Sequence, residues 1–197
     1  MDKYSDKINK VFSELLIEEK LVHTKNDPPW NGDIWANGTW VDGIWEDGSW
    51  EGGVWKNGTW KDGIWKYGKW NNGVWTNGSW RSGTWFNGTW KAGTWEYGIW
   101  KDGTWNGGTW EDGEWKKGTW VDGIWETGTF EDGTWKSGTW KDGVFENGMW
   151  ESGTWLDGEW EDGWILDPKK IGNYQPDWKW KGKFVQSPIS PKEYFEK

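Results

Sequence analysis

Gly53-Val54-Trp55-Lys56-Asn57-Gly58-Thr59-Trp60-Lys61-Asp62-Gly63-Ile64-Trp65 writes one five-residue unit twice and begins it a third time. The unit is Gly, a β-branched residue, Trp, a charged residue, and then Asn or Asp. Outward from this stretch, every fifth residue from Trp30 to Trp160 is aromatic, 27 positions filled by 25 Trp plus Phe130 and Phe145. Every fifth residue from Gly38 to Gly163 is Gly. The chain of 197 residues therefore holds 28 Trp and 31 Gly, whereas Gly alone is about 7% of ordinary globular usage. Aliphatic residues are scarce and 28% of residues are charged, a balance that suggests disorder unless the indoles form the core.

Three segments follow from the period: a non-repetitive head over 1–29, the array over 30–164, and a non-repetitive tail over 165–197. The phase breaks where Trp164 directly follows Gly163 and Ile165 takes the expected aromatic place. Atypical terminal units of this kind serve as caps in repeat stacks.

A strand has period two and the unit has five residues, so an uninterrupted strand would send successive indoles to opposite faces. Each unit must contain a corner. Asp-Gly or Asn-Gly before a β-branched residue is a strong hairpin signal, because the turn needs positive φ. Reading Lys61-Asp62-Gly63-Ile64 as that turn gives a meander with Trp opposite Trp, all indoles on one side of a ribbon. Such a ribbon exposes a large apolar face, so it must coil over its own indoles or bury them against another chain. The alternative is a quadrilateral β-solenoid with one unit per side, in which four indoles per layer look bulky for the interior. The expected fold class is thus an all-β repeat, an elongated structure of five-residue units. The coiled hairpin meander is favoured over the solenoid, and a short N-terminal helix precedes it.

The small-x-large pattern Gly-Thr-Trp resembles the pentapeptide-repeat proteins, whose quadrilateral helices turn a small and a large residue inward from each side. Gly53-Val54-Trp55-Lys56-Asn57-Gly58 resembles the centre of a MORN repeat, a hairpin unit built on Gly-x-Trp-x-x-Gly, and supports the turn reading. The array as a whole is similar to the Trp/Gly/Asn-rich five-residue tracts of structural proteins in large tailed bacteriophages. That resemblance implies a structural, non-enzymatic component of a virion, in its tail, baseplate, fibre or capsid surface, and a virion localisation.

The residues themselves offer little chemistry. Absence of Cys excludes disulfides, Cys-ligated metals and thiol nucleophiles, and the single His23 excludes a His-based metal triad. The array carries 22 Asp plus Glu against 11 Lys plus Arg. Asp62, Asp102, Asp112 and Asp142 could pair as acid and base, but they sit where Asp serves the turn, and repeated units supply nothing singular. No catalytic residue, cofactor site or metal site is expected, calcium included, since the calcium-binding β-roll uses a nine-residue repeat.

Two binding readings remain open beside the structural one. The Trp rows could stack sugars. The Thr residues, such as Thr84, Thr89 and Thr94, could form a flat surface-binding row, interrupted at Lys69, Glu114 and Glu159. Nucleic-acid mimicry is diluted by Lys56, Lys61, Lys66 and Lys101. No apolar run reaches the length of a membrane span and no secretory signal opens the chain, so no membrane insertion is expected.

The flanks carry the candidate contacts. Ser5 can cap a helix near residues 5–22 whose Ile8, Val11, Phe12, Leu15 and Leu16 recur at helical spacing, stopped by Pro28-Pro29. The tail carries seven Lys against four acids. Its prolines favour an extended arm, with Trp178, Trp180, Phe184, Tyr194 and Phe195 as anchors. Expected partners are other structural proteins of the assembly and further copies of the chain.

Overall fold

The computed structural model describes residues 22–23, 34–171 and 182–196. From Ile34–Trp35 to Glu159–Trp160 the chain makes a two-residue strand in every unit, such as Val54–Trp55, Thr59–Trp60 and Ile64–Trp65. Each strand pairs in parallel with the strands three units before and after it, so that Trp55 lies in register between Trp40 and Trp70. The pairings make three sheets of ten, ten and nine strands. The chain is therefore a β-solenoid of triangular section, with one unit on each side and three units per coil.

The corner explains the winding. Gly63 sits at φ +120, a conformation L side chains avoid, and its amide N–H donates to Asp62 Oδ1 at 2.8 Å. The Asp is thus in the turn because its carboxylate satisfies an amide left out of the ladder. On either side of the corner the ladder resumes: Lys61 N–H donates to Trp45 O at 2.8 Å and Ile64 N–H to Gly48 O at 2.9 Å.

The strand alternation then sends Trp inward and its two neighbours outward. Twenty-six aromatic residues, from Trp35 to Trp160, and Ile165 form one continuous core. With three inward residues per coil, these 27 positions make nine coils, a prism about 40 Å tall at the spacing of paired strands. Each indole stacks on the ones a coil away, as Trp55 does on Trp70 at 4.6 Å and 6°. It meets its chain neighbours edge to face, as Trp55 does Trp60 at 6.1 Å and 71°. Both geometries suit the ring quadrupole and add about 0.5–1.5 kcal/mol per pair to the burial of the ring itself.

The parallel pairing replaces the expected hairpins. A corner that turns the chain through a third of a circle hands each strand to a new side, so its partner lies three units away instead of one. The solenoid has three sides in place of four because three indoles, alternately edge and face, already fill a layer. The all-β repeat of five-residue units is borne out in its solenoid form, with the indoles covered by the chain's own faces.

One cost is built into this core. From Trp50 to Trp140, 18 buried indole N–H groups have no hydrogen-bond acceptor. Several lie against the glycine corners of the following coil: a Cβ on Gly68 would lie 3.2 Å from Trp50 Nε1, and one on Gly138 3.2 Å from Trp120 Nε1. An orphaned donor costs about 1–3 kcal/mol, which the burial and stacking of so large a ring offset.

The N-terminal helix expected near 5–22 falls outside the described residues except at its end. There, Val22–His23 form a strand paired in parallel with Thr39–Trp40. The described helix is instead at the other end of the chain, α1 (Pro191–Phe195), opened by a capping box between Ser190 and Glu193.

This packing has a spectroscopic signature. The bulk of the Trp emission is expected to be blue-shifted and resistant to acrylamide, and the far-ultraviolet circular dichroism to carry a strong exciton couplet from the closely stacked columns of rings. Both are read on the purified protein, and a solvent-quenched, unstructured spectrum would contradict the buried columns.

Candidate binding surfaces

Each side of the prism presents two outward rows, one from the residue before Trp and one from the residue after it. The second row is laced by ion pairs, all between residues one coil apart: Lys61 with Glu46 at 2.9 Å, Lys66 with Glu51 at 2.8 Å, Lys141 with Glu126 at 2.9 Å, and Lys116 with Glu131. Exposed pairs of this kind contribute at most about 1 kcal/mol each.

Lys116 is the exception in degree, because it also reaches Glu114 at 2.9 Å. Hydrogen bonds to Glu131 and then Glu114 raise its pKa to about 12. Since the folded value lies above the unfolded one, this contribution is complete below the ordinary lysine pKa and is lost as pH rises through about 12. A side-chain NMR titration should show Lys116 deprotonating above the ordinary lysine value, and Glu131→Gln should bring it down.

The first row sorts the sequence by side. Lys69, Glu114 and Glu159, which interrupt the Thr row in the sequence, all fall in one sheet, with Thr39, Val54, Thr84, Ile99, Thr129 and Val144. A second sheet carries Ile44, Thr59, Val74, Thr89, Thr104, Thr119, Thr134, Met149 and Trp164 in unbroken register. Beside this row, however, stand Glu46, Lys61, Lys91, Lys136 and Glu151, so the side is no flat field of hydroxyls.

Charge is also uneven along the axis. Residues 30–105 carry eight carboxylates against seven cations, whereas residues 106–164 carry 14 against four.

The corner carboxylates considered as acid and base prove equivalent. Asp62, Asp102, Asp112 and Asp142 each accept the N–H of the following Gly, at 2.7–2.8 Å. Among the described residues no group of His, Cys, Asp and Glu is arranged to hold a metal ion. No helix of the described residues is long and apolar enough to cross a membrane.

Of the contact residues expected in the flanks, Ile8, Val11, Phe12, Leu15, Trp178 and Trp180 lie outside the described residues. Phe184 belongs to the strand Gly182–Gln186, antiparallel to Trp164–Ile171, with Phe184 opposite Leu166. That strand leads into a cap over the last coil. Trp160 Nε1 donates to Ser187 O at 2.8 Å, and Lys192 Nζ donates to Leu156 O at 3.2 Å. Tyr194 packs against the core and its hydroxyl donates to the buried Asp167 at 3.0 Å. Phe195 stays 46% exposed. The described end of the tail thus holds the chain's own array.

Hollows lined by described residues adjoin this end. One, of about 310 Å³, lies between the cap and the last coil, among Trp155, Leu156, Asp157, Pro188, Lys192 and Glu196. Another, of about 610 Å³, runs along one corner of the prism. Its floor is Gly118, Gly133 and Gly148; one wall is Lys117, Asp132 and Asn147, and the other Thr134, Met149 and Trp164. The array's indole rows face inward and present no ring to a ligand, whereas Trp164 is 45% exposed. The sequence signals this residue through the phase break at Gly163, which puts Ile165 inside and pushes an indole out. Compared with the models of known protein families, with curated proteins and with solved structures, the chain matches none.

Proposed function

We propose that the chain is a non-enzymatic structural component of a macromolecular assembly, a short stiff prism that spaces or decorates and is attached through its flanks. The observation that carries this reading is the closure of the core. Its 27 inward residues are covered within one chain, and coil after coil repeats the same contacts. A body built this way is rigid and locally stabilised, and its length is set by unit count. The similarity of the array to five-residue tracts of tailed-phage structural proteins makes a virion the assembly in view.

Limited proteolysis is the first test: the array should resist while the head is cut. In the native particle, deleting residues 1–21, which spares the strand Val22–His23, should abolish incorporation and leave a folded array. Deleting 170–197 is the less clean variant, because it also strips the cap from Trp155 and Trp160. An array digested as fast as the head, or a deletion that still incorporates, would overturn the reading.

A further inference from the structure

We propose that the corner groove ending at Trp164 is a binding site for an uncharged oligosaccharide. The solenoid hides every other indole among the described residues, so an outward Trp at 45% exposure is singular among them. Trp164 continues the row Thr134, Met149 in register, and its ring closes one end of the groove. At about 610 Å³ the groove has the volume of a small-ligand site.

Its walls suit a pyranose chain. Gly118, Gly133 and Gly148 leave the floor without side chains, so a ring can lie close to the backbone. Met149, 40% exposed, extends the apolar face of Trp164, against which the C–H face of a sugar packs. Across the floor, Lys117, Asp132 and Asn147 stand one above another at the strand spacing of about 4.8 Å, comparable to the length of one pyranose ring. They supply an ammonium, a carboxylate and an amide for successive hydroxyl groups.

Two of these groups are already oriented. Asp132 Oδ1 accepts the Gly133 N–H at 2.7 Å, which aims its carboxylate. Lys117 is held by Asp102 at 3.2 Å, which neutralises it towards an anion. With 14 carboxylates against four cations in residues 106–164, acidic glycans are repelled. This assignment concerns a ligand and does not rest on the structural role proposed above.

The test uses the full chain and immobilised neutral oligosaccharides, cellohexaose and chitohexaose among them, with acrylamide quenching of the exposed indole as a second readout. Binding is expected to be accompanied by protection of the quencher-accessible fraction of the emission. Trp164→Ala should weaken it by up to about tenfold, the scale of one lost aromatic contact. Asp132→Ala should weaken it less, and Trp164→Phe should retain part of it. Because Trp164 is outside the core, an unchanged exciton couplet in each variant certifies the fold. No binding of any neutral oligosaccharide at millimolar concentration overturns the proposal. So does binding that Trp164→Ala leaves undiminished, or binding of acidic glycans alone.

Discussion

Gly103→Val is expected to unfold the coils around it, at a cost of about 3 kcal/mol or more. Gly103 is at φ +124, and a Cβ there would lie 2.4 Å from Gly88 O and 3.0 Å from Gly88 N. Neither backbone atom can move, since Gly88 O accepts the ladder bond from Thr104 at 2.9 Å. A β-branched residue meets both the clash and the forbidden backbone. Gly107 is the control, because it occupies the place before the corner. Its Cβ would find only Lys91 O at 3.7 Å and Asp122 O at 4.0 Å. Gly107→Asp should therefore be tolerated, and by restricting the unfolded chain it should stabilise by about 0.4–1 kcal/mol. Thermal unfolding followed by the exciton couplet measures both, and equal effects would show that the corner is misunderstood.

Trp100→Ala carries the second large effect, about 3–5 kcal/mol, from the cavity it leaves. Trp100 stacks on Trp85 and Trp115, each at 4.8 Å, and meets Trp95 and Trp105 edge to face, each at 6.0 Å. The surrounding rings are held by their own ladders and cannot collapse into the gap. Trp100→Phe should cost well under half as much, since it keeps a ring in the column and removes one orphaned N–H. The chain contains this experiment already. Phe130 and Phe145 stand one coil apart in one column and stack at 4.8 Å, while the junction of Trp115 with Phe130 opens to 5.5 Å. The mismatch of ring sizes is felt where Trp115 meets Phe130, whereas Phe145 meets Trp160 at 4.5 Å; Trp100→Phe with Trp115→Phe, which stack on one another, should cost less than the sum of the two. Denaturant melts of the single and double variants measure this, with additive losses as the contrary result.

The unit, the indole core and the corner were legible from Trp-Lys-Asp-Gly-Ile alone, because each is a local matter of period and φ. The side count was not, since Asp62-Gly63 requires a turn without fixing its angle, and a hairpin and a triangular corner share that chemistry. What distinguishes them is non-local and was present in the chain. Lys61 and Glu46, Lys66 and Glu51, and Lys141 and Glu126 are opposite charges three units apart, and Phe130 and Phe145 share that spacing. Lys69, Glu114 and Glu159 are separated by multiples of the same spacing. Departures from the repeat, more than the repeat, carry the coil length. The groove was half legible: Trp164 stands out by its phase, but its neighbours Asp132 and Asn147 are ordinary units until the winding brings them together.

The three-unit coil also dictates how such a gene product tolerates changes of length. Gain or loss of three whole units, as unequal recombination within the repeats would produce, slides the downstream half along the axis by about 4.8 Å and leaves every side with its own row. Gain or loss of one unit keeps all rings inside, yet rotates everything downstream by one side, scrambling the charge ladders and moving Trp164 to a different side. A change that is not a whole number of units turns a charged side chain into the core. The array is therefore a ruler with a protractor attached, in which copy number sets reach, and copy number modulo three sets the direction in which the cap and its groove face.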